Sequence, residues 1–230
     1  MPVNVRDLTV VFDLDGTLVD TAPDLTAACN HVFGLLDLAP VPVPATALHP
    51  FISHGSRAMI DAGLRLHEVA LPAGEIDRLH RRFFAYYTAN IAVFSRPFEG
   101  VVEVLEALRA GGARLAVCTN KLEGLSKQLL GELRLDTRFD AIAGRETFAV
   151  CKPAPGHLTG AIAMAGGARE RAVMVGDSEV DFATAMAARV PSIGVTFGYT
   201  PRPVHELGAD AVIDHYCEFM PALERVLAGR

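Results

Sequence analysis

Tryptophan is absent from this 230-residue sequence, and cysteine occurs only four times. Cys29, Cys118, Cys151 and Cys217 form no CxxC pair and do not show the spacing of a metal site. Disulfide frameworks belong to short, cysteine-rich secreted chains. The scattered thiols therefore predict reduced cysteines in a cytosolic protein.

Positive charge and long apolar runs are scarce as well. Lys and Arg number 21 against 27 Asp and Glu, the formal net charge is -6, and no basic run occurs. Binding to nucleic acid or to an acidic membrane surface requires a field of Lys and Arg, so both partners are disfavoured. The first apolar run, residues 8–12, is too short for a signal peptide, and no stretch is long enough to span a bilayer. We therefore expect a cytoplasmic protein without a membrane or nucleic-acid partner.

The sequence contains enough apolar residues for a core, because half of its residues are hydrophobic. Short apolar runs predict buried strands at residues 8–12, 115–118, 172–175, 192–195 and 211–213. Helix-like segments follow the first three runs. Continuous apolar strands that alternate with helices predict an α/β protein with a parallel sheet covered on both faces.

The interval from residue 21 to residue 96 does not follow this alternation. It contains three helical patterns, at residues 25–36, near 59–66 and at 75–94, and no convincing central strand. The third pattern carries one apolar stripe, formed by Ile76, Leu79, Phe83, Tyr87, Ile91 and Phe94. We therefore predict a core of residues 1–20 and 97–230 with a helical insert, or cap, of residues 21–96. The insert follows the carboxyl end of the first strand, where open α/β sheets bind ligands.

The strongest chemical signal is the segment Asp-Leu-Asp-Gly-Thr-Leu-Val-Asp at residues 13–20. Asp13 and Asp15 lie two residues apart at a strand end, so their carboxylates can converge on one site. Gly16 permits a tight turn and brings its N–H close to an anion. An isolated Asp-x-Asp pair is more often an acidic turn with a helix cap. The order of strand, aspartates, glycine and Thr17 favours a functional site.

Two further pieces suit the binding of phosphate oxygens. Thr119 and Asn120 follow the predicted strand 115–118 and offer a hydroxyl and N–H groups, although a Thr in this place is usually a helix cap. Lys152 lies in the segment Cys-Lys-Pro-Ala-Pro at residues 151–155. A single Lys is usually solvated, but the neighbouring prolines hold this one in a defined loop.

The last piece is a pair of aspartates after the predicted strand 172–175. Asp177 and Asp181 are four residues apart, so on the first turn of a helix they would share one face. Their oxygens are hard ligands of the kind that suits Mg²⁺. Acidic residues also stabilise helix N-termini. That alternative is serious for Asp181 and weaker for Asp177, which directly follows the end of a buried strand.

Together these pieces resemble the motifs of the haloacid dehalogenase superfamily, in the right order and over nearly the whole chain. Members of that superfamily carry an aspartate pair, a Thr or Ser, a Lys and a final acidic pair, each at a strand end. The combination is far more specific than any single motif. The resemblance implies a Rossmann-like parallel-sheet core, with a helical cap inserted between the first two motifs.

The resemblance also implies a magnesium-dependent phosphatase mechanism. Asp13 would attack phosphorus and form an aspartyl-phosphate. Asp15 would protonate the leaving alkoxide and then deprotonate the hydrolytic water. Mg²⁺ would be bound by Asp13, the Asp15 carbonyl and Asp177, with Asp181 in support.

By the same resemblance, the transferring phosphate oxygens would be bound by Thr119, the Asn120 N–H and Lys152. The N–H of Gly16 is a further candidate donor to the phosphate. The implied partner is therefore a small phosphorylated substrate, and we expect a monomer or a homodimer.

Within the superfamily, the sequence resembles bacterial phosphoglycolate phosphatases most, through residues 12–25, 176–181, 191–199 and 206–214. Haloacid dehalogenases and phosphonoacetaldehyde hydrolases resemble the chain but lack an acid at the position of Asp15. The implied reaction is the hydrolysis of 2-phosphoglycolate to glycolate and phosphate.

The cap departs from the family pattern in one loop. Residues 53–56 are Ser-His-Gly-Ser, where a Gly-Asn-Gly-Ala-like sequence is common. His54 and Arg57 are candidates for binding a substrate carboxylate or hydroxyl, since Arg can bind a carboxylate with two hydrogen bonds. An ordinary surface role for Arg57 is an equally good interpretation.

Three alternatives remain open from the sequence. The first is a phosphatase for another small sugar phosphate or for pyrophosphate. The second is a sugar-phosphate mutase, which would require the aspartyl-phosphate to outlast attack by water. The third is a non-enzymatic regulator that only binds phosphorylated ligands, although such a protein has no use for the acid Asp15.

Overall fold

The computed structural model describes residues 3–41 and 48–229. The chain divides into two compact units. The first, called the core unit here, contains the chain up to Val19 and from Pro97 onward; the second, the cap unit, runs from Asp20 to Arg96. The helices of the described residues include none with the length and apolar character needed to cross a membrane.

The core unit is built on six parallel strands. The strands of the described chain are β1 (Thr9–Phe12), β2 (Val19–Asp20), β3 (Arg96–Pro97), β4 (Arg114–Cys118), β5 (Ala141–Ala143), β6 (Ala172–Gly176), β7 (Ser192–Val195) and β8 (Ala211–Ile213). The six-stranded sheet has the order β5-β4-β1-β6-β7-β8, with every neighbouring pair parallel. β1, whose four residues are all buried, lies in the interior of the sheet between β4 and β6. The short strands β2 and β3 lie where the chain leaves and rejoins the core unit.

Helices of the core unit follow β4, β5, β6 and β8, in line with the alternating pattern. Those of the core unit are α5 (Val101–Ala110), α6 (Glu123–Glu132), α7 (Pro155–Met164), α8 (Glu179–Ala188) and α9 (Phe219–Ala228). In α5 the buried residues Val101, Val104, Leu105 and Leu108 repeat at helical spacing. The helix stops before Gly111 and Gly112, and Gly112 has the positive φ of +83° that favours glycine.

The predicted α/β class with a Rossmann-like parallel sheet is confirmed. The five predicted strands are all present, with ends that differ by at most one residue. The sequence prediction missed β5, at the edge of the sheet. That strand is only three residues long, Ala-Ile-Ala, and two alanines around one isoleucine give too short an apolar run to stand out.

The cap unit is helical. It contains α1 (Ala22–Gly34), α2 (His49–Ile52), α3 (Ser56–Leu66) and α4 (Ala73–Ala89). The helix predicted for residues 75–94 was wrong at its C-terminal end, because α4 stops at Ala89. Asn90 donates from Nδ2 to the Tyr86 carbonyl at 2.9 Å and leaves helical geometry with a φ of -132°.

The two last members of the predicted apolar stripe therefore lie outside the helix. Ile91 is buried, but Phe94 is 59% exposed, so it does not belong to the core of the cap unit. The backbone N–H groups near Phe94 donate to a carboxylate instead of to helical carbonyls. The N–H groups of Phe94 and Ser95, together with the Ser95 hydroxyl, donate to the buried Asp24 at 2.6–3.1 Å.

Candidate active site

Three of the candidate residues directly follow the carboxyl ends of neighbouring strands of the sheet. Asp13 follows β1, Thr119 follows β4 and Asp177 follows β6, and these strands are parallel neighbours. The ladder of hydrogen bonds continues past the strands, because Asp13 N donates to Val175 O at 2.9 Å and Thr119 N donates to the Ala143 carbonyl at 3.0 Å. The sheet therefore fixes the backbone of Asp13 and of Thr119, the residues that begin two of the three loops.

Lys152 is the cation at the centre of this group. Its ammonium lies 2.9 Å from Asp13 Oδ1 and 2.6 Å from Asp181 Oδ1, and its side chain is only 2% exposed. Burial lowers the pKa of Lys152, but the charges of Asp13 and Asp181 outweigh it and raise the pKa overall. The lysine predicted from its proline-rich loop therefore stays charged and is not a solvated surface residue.

The aspartates around this lysine carry more negative charge than one ammonium offsets. Burial and the charge of Asp181 raise the pKa of Asp13 to about 6, although Lys152 opposes the rise. Burial and the charges of Asp181 and Asp13 raise the pKa of Asp177 to about 8. A buried cluster of carboxylates with raised pKa values is a site that favours a bound cation.

The geometry of the carboxylates fits a divalent metal ion. One oxygen from each of Asp13, Asp177 and Asp181 lies within 4.8 Å of the others. These are hard oxygen donors, and Mg²⁺ is bound by one or two carboxylates together with substrate phosphates and water. The three residues were all in the set predicted from the sequence, which also included the carbonyl of Asp15.

The two acidic residues of the last motif do not share a helical face, which corrects the sequence prediction. Asp177 precedes α8, and Asp181 is its third residue. Asp181 Oδ2 accepts from Ser178 N at 3.1 Å and from Ser178 Oγ at 2.6 Å, while Oδ1 contacts Lys152. Asp181 is therefore both the helix-capping residue of the alternative interpretation and a partner of the buried lysine.

Asp177 is held by groups that the sequence prediction did not assign to the site. The hydroxyl of Thr17 donates to Oδ1 at 2.9 Å, and Tyr199 N donates to Oδ2 at 2.8 Å. Gly16 has a φ of +82°, and a Cβ at this position would lie 2.7 Å from Asp177 Oδ2. Glycine is therefore needed both for the turn and for the space that the carboxylate occupies.

The loop of Lys152 is held by two side chains. Asn120 Nδ2 donates to the Lys152 carbonyl at 3.1 Å, which places the predicted Thr119-Asn120 pair beside the lysine. The buried His157 accepts from Lys152 N on Nδ1 at 3.1 Å, and its Nε2 donates to Gly144 O at 3.0 Å. Burial, with the nearby charge of Lys152, lowers the pKa of His157 and keeps the ring neutral.

Asp15 lies beside a lysine that the sequence prediction overlooked. Lys121 Nζ lies 3.0 Å and 3.3 Å from the two carboxylate oxygens of Asp15. The only signal in the sequence is that Lys121 follows Thr119 and Asn120 directly, in the loop after β4.

The remaining candidates, His54 and Arg57, belong to the cap unit. His54 Nδ1 lies 3.1 Å from the Pro50 carbonyl, at the turn between α2 and α3. Arg57 forms an ion pair with Asp77 at 2.5 Å, and both side chains are about half exposed. The ion pair gives Arg57 a structural partner within the cap unit.

The fold and the buried Asp-Lys-Asp arrangement define a class of enzyme. Comparison of the sequence with known families identifies the family. The pattern of the haloacid dehalogenase-like hydrolases matches residues 10–195. The chain therefore belongs to the haloacid dehalogenase-like hydrolases.

Within that family it is an enzyme of the phosphatase group. A phosphoglycolate phosphatase of Agrobacterium fabrum is 46% identical over 220 residues, which cover 96% of this chain and 94% of that relative. A phosphoglycolate phosphatase of Caulobacter vibrioides is 44% identical over 226 residues, with 98% and 94% covered. The crystal structure of a predicted phosphoglycolate phosphatase from Haemophilus somnus superposes with a TM-score of 0.86 at 28% identity, covering 94% of this chain and 97% of that one.

Proposed function

We propose that this enzyme is a magnesium-dependent phosphomonoesterase that hydrolyses 2-phosphoglycolate through a covalent phosphate on Asp13. The observation that carries the proposal is the buried Asp13 carboxylate, held 2.9 Å from the Lys152 ammonium at the end of a central strand. The choice of substrate is supported by the relatives at 44% and 46% identity, which are phosphoglycolate phosphatases.

In the first half of the reaction an oxygen of Asp13 attacks phosphorus, and the bond from phosphorus to the ester oxygen breaks. Asp15 donates a proton to that oxygen, so the leaving group departs as a neutral alcohol. Lys152, the Thr119 hydroxyl and the Asn120 N–H bind the transferring oxygens, with the Gly16 N–H as a further donor. These groups offset the charge that develops on the phosphoryl oxygens.

In the second half, water attacks phosphorus and Asp15 accepts its proton. The bond between phosphorus and Asp13 breaks, which returns the Asp13 carboxylate and releases inorganic phosphate. Mg²⁺ held by Asp13, Asp177 and the Asp15 carbonyl, with Asp181 in support, would supply positive charge that lets two anions approach each other. His54 and Arg57 of the cap unit stay candidates for contacts with the leaving group. The cytoplasmic location and the monomeric or dimeric state expected from the sequence also stay predictions.

The test is phosphate release with Mg²⁺ from a panel that contains 2-phosphoglycolate, hexose phosphates and pyrophosphate. We expect 2-phosphoglycolate to give the highest kcat/KM and Asp13→Asn to abolish turnover. Asp37→Asn is the matched control, because Asp37 is exposed and has a positive φ of 55° that Asn tolerates.

Each outcome bears on a different part of the proposal. If the enzyme prefers another ester and Asp13→Asn still abolishes turnover, the mechanism is kept and the substrate is rejected. Isomerised sugar phosphate in place of free phosphate would favour the mutase. Phosphate release that survives Asp13→Asn would reject the mechanism.

A further inference from the structure

The Lys152 ammonium is carried by a loop whose backbone is held by side chains. Lys152 N donates to His157 Nδ1 at 3.1 Å, and the Lys152 carbonyl accepts from Asn120 Nδ2 at 3.1 Å. Lys152 lies outside the strands and helices of the core unit, three residues before α7. A long side chain that lies 2.9 Å from Asp13 and 2.6 Å from Asp181 therefore starts from a backbone outside the sheet.

His157 connects this loop to the sheet. It lies on the first turn of α7 and is fully buried. Since Nδ1 accepts from Lys152 N, the neutral ring carries its proton on Nε2, which donates to Gly144 O at 3.0 Å. Gly144 directly follows β5. The edge strand β5 contains none of the predicted site residues, but it is connected to Lys152 through Gly144 and His157.

Neighbouring groups fix the orientation of the His157 ring. Phe148 packs against it at an angle of 73°, with the ring centroids 6.0 Å apart. Phe148 in turn lies over Gly160 of α7, where a Cβ would be 2.7 Å from Phe148 Cζ. A Cβ at Gly144 would overlap Glu123 N, so the acceptor of the Nε2 proton lies in a closely packed segment. The ring is therefore held in one plane between the loop and the sheet.

We propose that His157 is a positioning residue, which sets the place of the Lys152 ammonium by accepting from Lys152 N. Histidine suits this role because one ring offers an acceptor to the loop and a donor to the sheet at a fixed separation. The hydrogen bond at Nδ1, and not the one at Nε2, then determines how well the ammonium meets the transferring oxygens. The inference rests on the proposed function, since it assumes that Lys152 binds these oxygens.

Two amide side chains separate the two hydrogen bonds of the ring. Asn places its amide near the position of Nδ1, so His157→Asn can accept from Lys152 N but loses the contact with Gly144. The longer Gln places its amide near the position of Nε2, so His157→Gln can donate to Gly144 O but loses the acceptor for Lys152 N. Each variant loses one buried hydrogen bond, so urea denaturation should show comparable losses of stability.

Turnover is measured with Mg²⁺ and the ester that the wild type hydrolyses fastest, so the result does not depend on the identity of the substrate. The kcat of His157→Gln should lie roughly 10- to 100-fold below that of His157→Asn, because displacing a reacting group by about 1 Å can cost about 100-fold in rate. His205→Gln changes an exposed histidine and should match the wild type. Equal kcat values in the two His157 variants, or a lower kcat in His157→Asn, would overturn the inference.

Hydrogen exchange of the Lys152 amide provides a measurement that does not depend on turnover. The amide proton should exchange faster in His157→Gln than in His157→Asn, because only the Asn variant keeps an acceptor for it. Equal exchange rates would overturn the inference.

Lys152→Ala tests the proposed function separately. If Lys152→Ala abolishes turnover while the two His157 variants have equal kcat values, only the role of His157 fails. If Lys152→Ala keeps the turnover of the wild type, the role of Lys152 in the proposed function fails, and the inference fails with it.

Discussion

Replacing Asp177 by Asn should stabilise the metal-free protein at alkaline pH. Burial and the charges of Asp181 and Asp13 raise the pKa of Asp177 from 3.8 to about 8. A carboxyl group whose pKa is higher in the folded state contributes stability below its unfolded pKa, and that contribution is lost as the pH rises through the folded value. Between about pH 5.5 and pH 8, the free energy of unfolding of the wild type should therefore fall by about 3 kcal/mol, since each of the roughly 2.5 pH units contributes up to about 1.4 kcal/mol.

The Asn side chain removes this titration and keeps the local contacts. Its amide oxygen can accept from Tyr199 N, and its amide N–H can donate to the Thr17 hydroxyl, the two groups that hold Asp177. We therefore expect the stability advantage of Asp177→Asn over the wild type to be about 3 kcal/mol larger near pH 8 than near pH 5.5.

Urea denaturation in the presence of a chelator measures the free energy of unfolding of both proteins at the two pH values, with Asp37→Asn as the control. Mg²⁺ at 100 times its dissociation constant should then stabilise the wild type at pH 8 by about 2.7 kcal/mol and leave Asp177→Asn unaffected. Parallel pH dependences of wild type and variant would refute the reasoning, as would equal stabilisation of the two by Mg²⁺.

Three further variants test the surroundings of the site. Thr17→Val removes the hydroxyl that donates to Asp177 and should weaken Mg²⁺ binding about 10-fold in calorimetric titrations; unchanged affinity would show that the hydrogen bond does not orient the ligand. Gly198→Ala places a Cβ on the Asp177 carboxylate, so Mg²⁺ binding should be lost while the far-UV circular dichroism spectrum is kept. His157→Phe leaves Lys152 N without its acceptor and should cost about 2 kcal/mol in urea denaturation above pH 6.5. That deficit should shrink as the pH falls below 6.5, because the lowered pKa of His157 means that its stabilising contribution is lost there; a deficit that is constant with pH would contradict the role of the neutral ring.

The parts of the fold that could be predicted from the sequence are those in which neighbouring residues form a clear apolar pattern. β1, β4 and β6 each contain a run of at least three consecutive apolar residues, and each precedes a polar residue of the site. The edge strand β5 could not be found because it has only three residues, and two of them are alanines. The end of α4 was missed because Asp24, some seventy residues earlier in the chain, binds the backbone at Phe94 and Ser95.

The candidate site also divides into residues that could be predicted from the sequence and residues that could not. Asp13 and Asp177 could be predicted because each follows a strand, and parallel strands bring their carboxyl ends to one edge of the sheet. The contact between Asp15 and Lys121 joins residues 106 positions apart, and no local spacing encodes it. His157 is not among the candidates predicted from the sequence, because its hydrogen bond to Lys152 N is visible only once the loop is folded.

The most direct test of the central claim is to trap the covalent phosphate on Asp13. The enzyme would be mixed with 2-phosphoglycolate and Mg²⁺, quenched in acid during turnover, digested and analysed by mass spectrometry. The account predicts a phosphate on the carboxylate of Asp13, absent from Asp13→Asn and present in Asp37→Asn. A phosphate on another residue, or turnover with no covalent phosphate at any quench time, would contradict it.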